Sequence, residues 1–146
     1  MEEGEEIKYL DLSGSFWSNI HPSITRVSRG LFIDRHYADA VFSAFKEVNF
    51  RVKNIVKSKI GEELDGKSLM FRAFKLGDPI IQLSNHLTET GRNIQEGYMH
   101  LFAGSMQGIR NPKAHENIEI EKKRAVHFLY LASLLMYRID ESDQKI

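Results

Sequence analysis

Apolar residues recur along most of this chain at the three- and four-residue steps that gather side chains on one face of an α-helix. The longest run is Tyr37, Ala40, Val41, Ala44, Phe45, Val48, Val52, Ile55 and Val56, with Asp34 ahead of it as an N-cap, and it predicts a long helix from about Arg35 to Lys59. Ile94, Tyr98, Leu101, Phe102, Ser105 and Ile109 mark the packed side of a second principal helix over Asn93 to Arg110. The last helix is expected from about Glu119 to Glu141. Its middle, Val126 to Tyr137, is apolar on nearly every side, as in a helix buried within a bundle or shared with a second subunit.

Shorter elements fill the gaps. Pro22 suits the first turn, and Gly30 the end, of one or two helical turns over Ser23 to Ser28. Leu69, Met70, Phe71 and Phe74 form a compact apolar cluster closed by Gly77-Asp78-Pro79, which predicts a short helix or turn. Gly97, Gly104 and Gly108 each weaken the second principal helix by about 1 kcal/mol relative to alanine, a cost that a closely approaching neighbour backbone would offset. No alternating strand pattern of useful length competes. The expected fold is an all-α helical bundle of two long principal helices plus shorter ones.

Composition narrows the classes of function. A chain of 146 residues, 42% hydrophobic and 27% charged, is long enough for one core, and a single domain over residues 13–146 is expected after a flexible acidic tail, residues 1–12. That tail begins Met1-Glu2-Glu3-Gly4-Glu5-Glu6, acidic where a secretory signal would be basic and then apolar, so a cytoplasmic location is expected. The apolar stretch Ala125 to Tyr137 falls short of the roughly 20 residues of a membrane span. Twenty acidic residues balance twenty basic ones, which argues against coating nucleic acid through bulk charge. Any RNA contact must be local. The absence of cysteine excludes disulfides, thiolate metal centres and a thiol nucleophile.

Two patterns suggest chemistry and fail on context. Gly61-Glu62-Glu63-Leu64-Asp65-Gly66-Lys67-Ser68 has the spacing of a phosphate-binding P-loop. Such a loop must follow a buried strand, whereas an amphipathic helix precedes this one, and its three carboxylates would repel a triphosphate. A helix-connecting turn is the better reading. His115-Glu116 lacks a second histidine at position 119, which is Glu119, and Glu96 with His100 is a single pair of surface type. His36, His86 and His127 read as packing or surface residues. No metal or other cofactor is expected.

Arg110-Asn111-Pro112-Lys113-Ala114-His115 is different in kind, because it concentrates a permanent cation, an amide and a base that titrates near neutrality where one helix ends. Arginine offers a fixed fork of donors to phosphate oxygens, and histidine gives or takes a proton at cellular pH. The plainer alternative is that Arg110 caps its helix, Asn-Pro makes the turn and His115 is incidental.

This segment resembles the Arg-x4-to-6-His motif of the HEPN superfamily. A longer resemblance, to the Ymh-type family of small bacterial and phage-associated proteins, runs through Trp17, His21-Pro22-Ser23-Ile24, Leu31-Phe32, His36-Tyr37-Ala38-Asp39-Ala40-Val41, Ala44-Phe45-Lys46, Leu69-Met70 and Arg110 to His115. The resemblance implies a HEPN-like bundle that pairs with a second copy, or forms a larger homo-oligomer, through its motif-bearing helices. It implies a metal-independent endoribonuclease in phage defence or a toxin–antitoxin setting, with an antitoxin or defence-system partner. RNA would be the substrate, Arg110, Asn111 and His115 the catalytic residues, and Lys113 a contact to neighbouring backbone. The rival expectations are a non-catalytic RNA- or protein-binding module and a regulatory dimer. Two departures stand out. Arg35 occupies a position where the pattern leads us to expect glycine, so the start of the following helix is expected to differ. Asn117 replaces a tyrosine that a partner nucleotidyltransferase modifies in some HEPN toxins, so that regulation is not expected.

Overall fold

A computed structural model describes residues 14–112 and 117–142. The expected tail, residues 1–12, lies outside them. Among the described residues the chain is all-helical: α1 (Gly14–Ser18), α2 (Pro22–Ile33), α3 (Tyr37–Ile60), α4 (Gly66–Phe74), α5 (Glu89–Ser105), which continues through a π-helical turn (Met106–Arg110), and α6 (Lys122–Asp140).

The longest helix is the hub. Its stripe Val41, Ala44, Phe45, Val48, Val52 and Val56 is wholly buried, and α2, α4, α6 and the π turn all pack on it. Phe74 of α4 stacks on Phe102 of α5 with ring centres 4.3 Å apart, which joins the second pair of helices to the same core. No described helix is long and apolar enough to cross a membrane.

The helix boundaries correct several expectations. α2 runs through Gly30 to Ile33, and Asp34 closes α2 rather than opening α3. The amide of His36 donates to the carbonyl of Leu31 at 2.8 Å and that of Arg35 to Phe32 at 3.0 Å. These two bonds form a Schellman motif, which needs a left-handed residue just past the helix end, normally glycine. Arg35 takes that place with φ of 66°. The glycine expected from the resemblance is thus explained by geometry, and this chain turns the same corner at a steric cost. α3 then starts at Tyr37, with His36 in the capping position and no side-chain cap bond.

The glycines of α5 also behave unexpectedly. A Cβ built on Gly97, Gly104 or Gly108 meets nothing within 4 Å, so none accommodates a packed neighbour. The close approach occurs at Gly91, where a Cβ would lie 1.8 Å from the carbonyl oxygen of Asn85. Buried residues of α5 are Gly91, Gln95, Phe102, Ala103 and Ser105, whereas Ile94 and Leu101 of the expected packed face are exposed. Gln95 explains the shift: its amide donates to the carbonyls of Phe74 and Ile81 and accepts from the amide of Leu83. One side chain thereby fastens the non-helical stretch between α4 and α5, and the helix must turn that polar residue inward. On α6, Tyr130, Leu134 and Tyr137 are exposed, so one face of the expected all-round apolar helix is open.

The two ends of the bundle meet at His21. Its Nδ1 accepts from the amide of Ser23, capping α2, and its Nε2 lies 2.6 Å from Asp140 at the end of α6. Arg51 of α3 donates to the other oxygen of Asp140 at 2.7 Å. Burial raises the Asp140 carboxyl, but the hydrogen bonds from His21 and Arg51 outweigh it and hold the group below its ordinary value.

Arg35→Gly should stabilise the fold by about 1 kcal/mol, since it removes a left-handed non-glycine residue without touching a buried contact. In urea titration the midpoint should rise with an unchanged slope.

Candidate functional site

A buried amide fixes the geometry around Arg110. Asn49 lies among the valines of α3 and is 5% exposed, so both ends of its side chain need partners. Its Nδ2 donates to Asp65 Oδ1 at 2.7 Å and its Oδ1 accepts from the amide of Gly66 at 3.0 Å. This clamp sets the first residue of α4 against the central helix. Gly66 has φ of 62°, and a Cβ on it would sit 3.0 Å from Nη2 of Arg110. Glycine is required there twice over, for the backbone angle and for the guanidinium laid across it.

The π turn aims the arginine. The amide of Asn111 donates to the carbonyl of Met106, five residues back. A π turn advances by about 80° per residue instead of the α-helical 100° or so. Starting from buried Met106, four such steps leave Arg110 slightly short of the same azimuth and five carry Asn111 slightly past it. In continuous α-helix Asn111 would point well away from the core. Both residues are half-buried and face α3 and α4.

The guanidinium is held on two edges. Nη1 and Nη2 donate to the two oxygens of Asp65 at 3.3 and 3.1 Å, while Nε and Nη2 donate to Asn111 Oδ1 at 3.1 and 2.9 Å. The Arg110 side chain is 14% exposed and that of Asp65 55%. The hydrogen bonds from Arg110, with burial opposing and Asn49 adding to them, hold the Asp65 carboxyl below its ordinary value.

Outside this pair opens a cleft of 590 Å³ bordered by Phe42 and Lys46 of α3, Asp65 and the first turn of α4, and Arg110 with Asn111. Lys67 and Ser68 of the first turn of α4 line it, and first-turn amides of a helix have no intrahelical acceptors. Among the described residues that line it, Lys46, Lys67 and Arg110 accompany one carboxylate, Asp65, which also lies 4.0 Å from Lys53. Gly61 to Asp65 connect α3 to α4 with helix rather than strand before them, and Gly66 to Ser68 open α4; Asp65 to Ser68 line the same cleft as Arg110.

Of the four sequence-predicted site residues, the structure brings Arg110 and Asn111 into contact, while Lys113 and His115 lie outside the described residues. Asn49, Asp65 and Gly66 escaped the sequence reading. Asn49 carried a signal, a lone amide within an apolar helical stripe, whereas Asp65 and Gly66 were visible only as part of a turn. A second cleft, of 320 Å³, lies between Arg35–Asp39 and the segment 117–120. Among the described residues no group of three or more histidine or acidic side chains is placed to hold a metal ion.

These features define an all-helical bundle with an arginine–asparagine pair on the wall of a cationic cleft. The chain belongs to the Hypoth_ymh family, described as a protein of unknown function, whose model matches residues 18–139. No curated protein and no solved structure matches the chain.

Asn49→Ala should destabilise the fold by about 1–3 kcal/mol, because it leaves the Gly66 amide unpaired beside the core. Asp65, with its folded pKa depressed, contributes stability that is present above its ordinary value of 3.8 and lost as pH falls through the depressed value. Asp65→Asn should therefore flatten the acid limb of the stability profile in that window, read by urea titration at a series of pH values.

Proposed function

We propose that this chain is a metal-independent endoribonuclease of the HEPN type, acting in the cytoplasm within a phage-defence or toxin–antitoxin setting. The observation that carries the reading is the convergence of Arg110 and Asn111, through the π turn, on a cleft that also holds Lys46 and Lys67. An RNA phosphate seated there meets a planar guanidinium and two ammonium groups. The ribose 2′-hydroxyl attacks the adjacent phosphorus and the bond to the 5′-oxygen of the next nucleotide breaks. His115 takes or returns the proton, and Arg110 stabilises the charge that builds on the phosphoryl oxygens. Asn111, already bonded to the guanidinium, keeps it oriented, and Lys113 holds neighbouring backbone. The products are a 2′,3′-cyclic phosphate and a 5′-hydroxyl. DNA is inert because it lacks the nucleophile.

A second copy of the chain completes the proposed enzyme. Ile94, Gly97, Leu101, Gly104 and Gly108 form one exposed stripe along α5 and the π turn, to one side of the buried face, and it leads toward the turn that carries Arg110. Small residues there permit close approach of another helix, and a symmetric pairing would bring the two motifs together.

Asp65 favours one other reading. It already satisfies two of the guanidinium's bonds, so a phosphate must displace it, and a module that binds RNA or protein without cutting needs no such exchange.

Incubation with total RNA in EDTA separates these readings. Wild-type protein should release fragments with cyclic-phosphate ends, and His115→Ala should slow this on the order of 10²- to 10⁴-fold, with Arg110→Ala also strongly impaired. Intact RNA at micromolar protein, or cleavage that survives loss of His115, removes the nuclease. Leu101→Arg should convert a dimer to a monomer in sedimentation experiments while leaving helical content unchanged; a wild-type monomer would sink the pairing.

A further inference from the structure

The cleft at Arg35–Asp39 neighbours that of Arg110 along α3. Ala38 and Asp39 border this cleft, and Phe42 and Lys46 border the cleft of Arg110. Spaced at three- and four-residue steps, these four residues share one face of α3, and from Ala38 to Phe42 the helix rises only about 6 Å. The two openings are therefore consecutive along a single helix face.

Their chemistry differs. Lys46, Lys67 and Arg110 line the Arg110 cleft together with Asp65. Among the described residues the second is lined by Arg35, His36, Tyr37, Asp39, Asn117 and Glu119. This lining suits a neutral, flat group with donors and acceptors on its edge: Asn117 supplies both, Glu119 accepts, and His36 supplies one of each when neutral. Tyr37 is half-buried with its ring 5.0 Å from that of Phe32, so it offers a fixed aromatic surface at the mouth. His36, Asn117 and Glu119 are exposed.

We propose that the second cleft is a base-recognition subsite, which takes the unpaired nucleobase next to the phosphate bound at Arg110 and reads its edge through His36, Asn117 and Glu119. Single-stranded RNA is recognised in this way elsewhere, by aromatic surfaces combined with hydrogen bonds to base edges. The proposal rests on the Arg110 cleft being an RNA phosphate site, and it adds sequence preference to that site.

The test uses binding as well as cleavage, so that the two readings can fail separately. Short single-stranded RNAs methylated at every 2′-oxygen cannot supply the nucleophile, and four such homopolymers and a randomised pool are titrated against the full-length protein. Wild-type protein should favour one base by about five- to tenfold, the scale of one good set of base-edge hydrogen bonds. Asn117→Ala and the double variant His36→Ala, Glu119→Gln should erase that preference, while affinity for the least-favoured homopolymer changes less than about twofold. On unmodified random RNA the wild-type cut sites should show the same base bias, lost in the same variants. Base-selective binding without any cleavage would keep the subsite and remove the nuclease. Equal binding of all four homopolymers, no measurable binding, or a preference that survives both variants would overturn the subsite. Circular dichroism of each variant checks that the helices are intact.

Discussion

The whole arrangement around Arg110 depends on one buried amide finding partners at both of its ends. Asn49 occupies a position that the apolar stripe of α3 would otherwise give to a valine, and an unpaired amide there would cost more than a typical hydrogen bond returns. Its two bonds, to Asp65 and to the amide of Gly66, specify how far α4 sits from α3 and how its first turn is rotated. Arg110 then has a floor, Gly66, and a counter-ion, Asp65, at fixed positions. A hydrophobic residue at 49 would pack equally well against the valines but would leave α4 without a defined register. Stability and site geometry are therefore controlled by the same polar contact.

The π turn solves a problem that a continuous helix could not. Phe102 and Met106 must face the core, and in α-helical geometry Asn111 would then project to solvent. Widening the last turn brings two consecutive residues to the same side, where the amide oxygen of one can orient the guanidinium of the other. The result is a pre-set arginine whose outward charge is partly answered by Asp65. Such an arrangement keeps an isolated cation from being stranded in a half-buried site and leaves a more exposed carboxylate as the exchangeable partner.

Element types were legible where periodicity was strong. The stripe of α3 predicted a helix that differs from the observed one by two residues at its start and one at its end. The failures have particular causes. Gly97, Gly104 and Gly108 share a face with Ile94 and Leu101, so inward packing and outward exposure give the same pattern; only the hydrogen bonds of Gln95 decide which face turns in. Asp34 looked like an N-cap because aspartate is common there, but the Schellman bonds of Leu31 and Phe32 assign it to the preceding helix. At the candidate site, Arg110 and Asn111 stood out by chemical type. Their contact could not be foreseen, because it needs a helix with five-residue hydrogen bonding that no residue pattern here announces. Asp65, 45 residues away in sequence, becomes a neighbour only through the clamp of Asn49.

The meeting of His21 and Asp140 ties the first helices of the described chain to its last. These residues stand near opposite limits of the described chain yet share a hydrogen bond, and Arg51 joins them to α3. Arg51 lies about half a turn around that helix from Phe42, which borders the Arg110 cleft. The contact that ties the start of α2 to the end of α6 therefore stands behind the central helix, and a substitution that loosens it would reach the cleft only through α3 itself.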